Sequence, residues 1–443
     1  MQRYHKIRIC IILWALCVSV LLTCSKDKEN NKITLSVWFH SGQQSERQTF
    51  IDQVNRFNKY QNLVTISATM IPEGSYNGQV QAAAVAGDLP DLLEFDGPYV
   101  YNYVWQGILR PIGDLLGKKL MDDLIPSIIN QGTYHGRFYS VGVYDSGLGL
   151  YSRKSLLQKV DARIPAGPAD AWTIDEFDHI LKRLAGNDPD REVLDLKLNY
   201  SGEYITYAFS PILQSAGADL IDRSNYQHAS GVLNSPAAIS AMTHVQSWFL
   251  NQWVDPNLDD AAFTGGRAAF SWVGHWEYKR YYQAWKNDLV VLPLPDFGKG
   301  SRTGQGSWNW GITCKCSHPD AAARFLKFLL SPDEVLAMCR ANSAVPATRT
   351  ALEKSKLYGE GGPLRLFAIQ LTQGYSVPRP KTPAYPVISS VFAEAFSDIR
   401  NKGNVRSVLT DAAKDIDRDI RYNDGYPVII QPDCKHHAEK KIQ

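Results

Sequence analysis

Two stretches decide the fold: ITLSVWFH at residues 33–40 and LLEFD at residues 92–96. In the first, Ile33, Leu35, Val37 and Phe39 alternate with Thr34, Ser36 and Trp38, the period-two pattern of a strand. The second is a short apolar strand with Asp96 at its carboxyl end. Between them, Phe50, Val54 and Phe57 recur at helical spacing, residues 63–71 read as another strand, and 76–86 form an Ala-rich helix that Gly87 caps. The order β-α-β-α-β predicts a parallel α/β sheet.

Farther along, residues 139–143 and 148–151 read as strands, and a helical pattern begins at Lys154. Thr173 and Glu176 make a capping box, with Trp172 placed to staple onto Phe177. Ser235-Pro236 and Ser331-Pro332 each open a helix with Ser as cap. Residues 289–292 and 308–314 read as further strands. Four prolines between 378 and 386 require an extended crossing or loop. There is no internal repeat.

The N-terminus differs from the rest. Arg3, Lys6 and Arg8 precede an apolar run over residues 9–22, shorter than the roughly 20 residues of a membrane span. This fits an export signal. Leu21-Leu22-Thr23-Cys24 resembles a bacterial lipoprotein processing site, with Thr23 where a smaller residue is usual. Residues 1–23 are therefore expected to be a lipoprotein signal, Cys24 the lipidated residue and 24–32 a polar tether. Removing 1–23 takes the formal net charge from +2 to −1. A near-neutral chain lacks the basic face that phosphate binding needs, which argues against a nucleic-acid partner. Of seven cysteines, Cys314, Cys316, Cys339 and Cys434 remain beyond Cys24. Export permits disulfides; the spacing reveals no pairing, and buried free thiols are the simpler reading. Two thiols at 314 and 316 without a second pair do not make a zinc site.

Several segments, in order, resemble the family 1 extracellular solute-binding proteins, the maltose-binding-protein-like receptors of ABC sugar importers. These are AVAGDLPDL at 84–92, YSVGVYDSGLGLYSR at 139–153, the helix start at 171–177, FTGGRAAFSWVGHW at 263–276, VLPLP at 291–295, residues 308–330, and Arg379-Pro380 onward to Ile388. Ser152-Arg153 stands where an Asn-Lys is common in the family. The resemblance implies a two-lobed, type II periplasmic-binding-protein-like α/β fold, each lobe a mainly parallel sheet flanked by helices, joined by a multi-crossing hinge. Lobe one is expected over 33–142 and 301–345, lobe two over 143–300 and 346–430, and a tail over 431–443. Residues 143–146 and 300–307 are the hinge candidates.

In open α/β sheets, solutes bind beyond the carboxyl ends of strands. Sugar hydroxyls need fixed donors and acceptors, and sugar C–H faces need a flat aromatic surface. The hydroxyl-binding candidates are Asp96, Asp145, Glu203, Asn309 and Arg379, with Ser41, Gln43 and Glu46 after the first strand as weaker ones. Asp145 could instead pin the hinge, and Arg379 could hold the proline-rich crossing. Glu203 sits in a stretch that reads as a loop. Trp272, Trp276, Trp308 and Trp310 are the stacking candidates, while Trp172 and Trp248 read as core. The expected role is capture of a sugar or oligosaccharide by hinge closure and its delivery to ABC importer permease subunits, by a lipid-anchored monomer that uses no cofactor and no metal and is not an enzyme. The alternatives are an exported glycoside hydrolase, for which no catalytic motif is present, and a sensor subunit for a non-sugar solute.

Overall fold

The computed structural model describes residues 32–428 and Cys434. The expected signal, Cys24 and the tail apart from Cys434 lie outside the described residues. Two β-sheets organise the chain. The first has five strands in the order Val64–Ile71, Ile33–His40, Leu92–Asp96, Trp308–Ile312 and Ser140–Gly142. The second has four, in the order Leu289–Leu292, Leu148–Arg153, Phe270–Gly274 and Leu194–Asp195. Helices pack on both.

Each sheet is mainly parallel in strand direction, as expected, with one strand reversed. In the first, Ile33–His40 runs parallel to both neighbours, but Trp308–Ile312 runs against Leu92–Asp96 and Ser140–Gly142. In the second, Leu148–Arg153 is antiparallel to the strands on either side. The cause is the chain path. Leu148–Arg153 is entered directly from the first sheet, without a helical crossover inside its own sheet. Phe270–Gly274 and Leu289–Leu292, joined through helix Tyr278–Trp285, then flank it and both run against it.

The two sheets are linked at the positions the sequence marks as hinge candidates. Tyr144–Asp145 pairs with Val345–Pro346, and Thr303–Gln305 pairs with Ser376–Pro378. Leu35, Val37 and Phe39 pack on one face of the first sheet with Phe50, Phe57, Trp310 and Phe325. Leu93 and Phe95 meet Tyr76, Val80 and Tyr103 on the other. A separate core around the second sheet gathers Trp172, Phe177, Phe209, Trp248, Trp272 and Phe396.

Local signals are realised closely. Thr173 and Glu176 form the full capping box, and Trp172 stacks on Phe177 at 6.2 Å. Ser235 Oγ accepts from the Ala238 amide. Ser331 precedes its helix but does not cap it, since its hydroxyl donates to the Phe328 carbonyl instead. Glu203 is not in a loop: it is the first residue of helix Glu203–Ser215. Cys316 and Cys339 are free and buried, whereas Cys314 is bonded to Cys434. Cys314 lies in the turn after strand Trp308–Ile312, which ends two residues before the expected 308–314.

Candidate functional site

Arg379 occupies the centre of the candidate site. It follows strand Ser376–Pro378 in the proline-rich crossing, and its side chain is only 3% exposed. Its Nη2 donates to Asp96 Oδ1 at 3.0 Å and its Nη1 to Glu203 Oε1 at 2.6 Å. Asp96 ends a strand of the first sheet, while Glu203 opens a helix packed in the core of the second. One guanidinium therefore ties the two halves together. Its plane lies over the Tyr207 ring at 4.8 Å. Glu203 also accepts from the Tyr385 hydroxyl and, at 2.6 Å, from Ser389 Oγ.

Two buried carboxylates share this single cation. Burial raises the Asp96 carboxyl, with Arg379 opposing. Burial likewise pushes Glu203 up to about 7, against Arg379 and with the repulsion of Asp96 adding to the rise. The unit carries one negative charge in excess, so one of its carboxylates takes up a proton easily.

A second polar cluster lies beside it, at the end of the first strand. His40 Nδ1 donates to Glu94 Oε2 at 2.7 Å, and His40 Nε2 stands 3.7 Å from Glu46 Oε2. Glu46 also accepts from the Tyr144 hydroxyl at 2.5 Å and from Asn342 Nδ2 at 3.0 Å. Burial would raise the Glu46 carboxyl, yet His40, Tyr144 and Asn342 together hold it at about 2. The Trp308 indole lies flat on His40, with ring centroids 3.8 Å apart and planes 6° from parallel. Glu73 is exposed at the rim; desolvation raises its carboxyl while His40 lowers it.

The expected site residues divide. Asp96, Glu203 and Arg379 meet in one constellation, and half-buried Trp308 and Trp276 stand at strand ends of the two sheets. Trp276 turns back over its own strand end. A Cβ on Gly274 would lie 2.0 Å from its ring, so only glycine leaves room. Ser41 is half-buried beside this group; its main-chain carbonyl accepts from Arg47 and its hydroxyl from the Glu73 amide. Gln43 precedes helix Gln44–Tyr60 without capping it through its side chain.

Four expectations give way to packing. Trp272 is buried beneath Phe209 and Trp248, with its Nε1 donating to the Ala208 carbonyl. Trp310 is sealed against Phe50 and Phe325. Asn309 is fully buried, donating to Ser140 Oγ at 3.1 Å. Asp145, also fully buried, accepts from the amides of Ser146 and Gly306, one on each crossing, and so joins the two crossings. Tyr207, Tyr385, Ser389, His40 and Glu94 were missed. The two tyrosines and the serine belong to helices Glu203–Ser215 and Tyr385–Arg400, which the sequence did not mark as helices, and Glu94 sits inside an otherwise apolar strand. That buried glutamate was the one available signal.

Among the described residues, no group of three or more His, Cys, Asp or Glu could hold a metal, and no helix is long and apolar enough to cross a membrane.

The chain belongs to the bacterial extracellular solute-binding protein family, whose model matches residues 52–359. An uncharacterized lipoprotein in the oleD 5′ region of Streptomyces antibioticus is 22% identical over 305 residues, which are 64% of this chain and 64% of that one. A putative ABC transporter periplasmic-binding protein, YcjN of Escherichia coli, is 24% identical over 253 residues, 53% of this chain and 54% of that protein. The chain thus matches less than two thirds of the length of these relatives. In structure it resembles the cyclic alpha-maltosyl-1,6-maltose binding protein of Arthrobacter globiformis, with TM-score 0.72 and 22% identity over 88% of this chain and 100% of that one. The fold is therefore that of a two-lobed solute-binding protein.

Proposed function

We propose that this protein is an exported receptor that closes over a carbohydrate and presents it to an ABC importer. The observation that carries the reading is the bridge Asp96–Arg379–Glu203, with half-buried Trp308 paired in register with Asp96 and half-buried Trp276 near Tyr207, the ring under Arg379. Charged hydrogen-bonding groups from both halves, with flat apolar rings nearby, are what a polyhydroxylated ring with C–H faces requires. The relatives add support: one is named an ABC transporter periplasmic-binding protein, and one solved structure is named for a cyclic maltosyl-maltose that it binds.

Lobe one is residues 33–142 and 301–345, lobe two 143–300 and 346–430, with hinges at 143–146 and 300–307. Helix Arg349–Lys354 lies past that boundary yet is tied to lobe one, since the Thr350 amide and hydroxyl both donate to Asp123 Oδ1. Solute touching both lobes favours the closed state by its extra contacts there. Moving the population from 1:99 to 99:1 takes about 5.5 kcal/mol of differential binding. Closure then offers a joint surface to the permease. Cys24 supplies the lipid anchor, and the receptor acts as a monomer. It does no chemistry on the solute: the Glu203 carboxylate is engaged by Arg379, Tyr385 and Ser389, leaving it poorly placed as a general acid.

A thermal-shift screen of neutral oligosaccharides, amino acids, peptides and polyamines tests this, because bound solute stabilises by mass action. Sugars should raise the midpoint, and Trp308→Ala or Trp276→Ala should abolish the rise. A rise with another solute class and none with any sugar overturns the reading.

A further inference from the structure

We propose that His40 is a positioning residue that fixes the Trp308 indole as the stacking surface on the first sheet; this rests on the receptor reading above. The geometry is specific. His40 ends the first strand and is 4% exposed, so its ring cannot wander. Its plane is within 6° of the indole plane at 3.8 Å, so it stacks on one face of Trp308, while Tyr76 meets the indole edge-on at 5.5 Å. Face and edge are thus both held, and the ring has one orientation left in which to meet a solute.

His40 is fixed in turn by charge. Glu94 lies 2.7 Å from one ring nitrogen and Glu46 3.7 Å from the other. Two carboxylates on opposite sides of a buried imidazole favour the imidazolium, and burial alone does not reverse this. A cation lying on an indole face is attracted by the ring quadrupole, most strongly when desolvated. The titratable or charged groups around it are Glu94 and Asp96 from strand Leu92–Asp96, Glu46 and Arg47 from helix Gln44–Tyr60, Glu73 and Tyr76 from the turn and helix after strand Val64–Ile71, and Tyr144 through Glu46; strands Val64–Ile71 and Trp308–Ile312 contribute none. Arg47 is directed away, onto the carbonyls of Ser41 and Gly42. Carboxylates therefore dominate the surroundings.

The support continues toward the other stacking candidate. Glu46 Oε1 accepts from Asn342 Nδ2, and the Asn342 carbonyl accepts from His275 Nδ1 at 2.8 Å. His275 is the residue before Trp276 and meets its ring edge-on. One polar path, an ion-pair contact from His40 to Glu46 and hydrogen bonds from Glu46 through Asn342 to His275, thus runs between the two indoles that remain half open. His275 is neutral in this path, as burial lowers it to about 4.

The test isolates Trp308 emission by subtracting the spectrum of Trp308→Phe, with and without His40→Gln, from pH 5 to 10. An imidazolium quenches an indole that it stacks on, so Trp308 emission in the native protein should be low and rise as His40 loses its proton. In His40→Gln it should be high and flat with pH, and affinity for the stabilising sugar should fall about tenfold, the scale of one stacked ring. Glu94→Gln keeps the shape and removes a charge; it should move the emission transition to lower pH, and it serves if His40→Gln folds poorly by circular dichroism. Trp308 emission that is the same in native protein, His40→Gln and Glu94→Gln at every pH overturns the proposal, as does a changed emission with unchanged sugar affinity. Because emission is read without ligand, altered emission together with no binding of any sugar would refute the receptor reading and leave the His40–Trp308 pairing standing.

Discussion

Replacing Arg379 with Met tests the central constellation. Met retains much of the side-chain volume but no charge, so Asp96 and Glu203 lose their common cation while staying 17% and 12% exposed. Breaking a buried pair by removing one partner costs about 3–5 kcal/mol, because the remaining charge is left uncompensated. Here two carboxylates are stranded, so the upper half of that range is expected at pH 7.5. Both already lean toward the protonated form, Glu203 to about 7, because burial favours it. Without Arg379 the neutral forms become easier still, and the penalty should fall by half or more at pH 5. Urea unfolding of native protein and Arg379→Met at the two pH values measures it. Adding Glu203→Gln and Asp96→Asn to Arg379→Met should restore most of the stability at pH 7.5, since neither amide needs a cation. A loss below about 1 kcal/mol, the level of an exposed ion pair, or an equal loss at both pH values would refute the bridge as a buried electrostatic unit.

Three further outcomes are expected. Gly274→Ala places a Cβ where the Trp276 ring lies, so sugar affinity should fall about tenfold by calorimetry, comparable to loss of a stacked ring, while thermal stability changes little. Cys434→Ser opens the link to Cys314 across 120 residues and should lower unfolding stability by about 2–4 kcal/mol; an unchanged melting temperature under strong reductant would contradict it. Glu46 is held at about 2, below the ordinary carboxylate value, so its contribution is present in full above about pH 4.5 and is lost as pH falls toward 2. Glu46→Gln should accordingly flatten the stability profile between pH 4.5 and 2.5 in urea titrations.

Particular residues show how far the sequence reached. Period-two alternation at 33–39 and the capping box at Thr173 and Glu176 are local properties, set by backbone geometry and near neighbours, and both appear as read. Asp96, Glu203 and Arg379 are singled out by the sequence because solutes bind beyond strand ends and sugar hydroxyls need fixed donors and acceptors. Their meeting was not legible: Arg379 is 283 residues from Asp96 and 176 from Glu203. The tryptophans show the same limit. Trp308 and Trp310 are two apart on one strand, and nothing local distinguishes them. Trp310 falls under Phe50 and Phe325, whereas Trp308 falls at the strand end on His40.

The sequence by itself determined the first strands and helices, the capping box at Thr173 and Glu176, and the residue types available to bind a polar ring, since each follows from short-range periodicity and chain stiffness. Only the tertiary structure decided which strands run antiparallel, which tryptophans are sealed in core, that Cys314 meets Cys434, and that one guanidinium serves two carboxylates. Those outcomes depend on which distant surfaces are packed together, and burial and pairing energies arise only once they are.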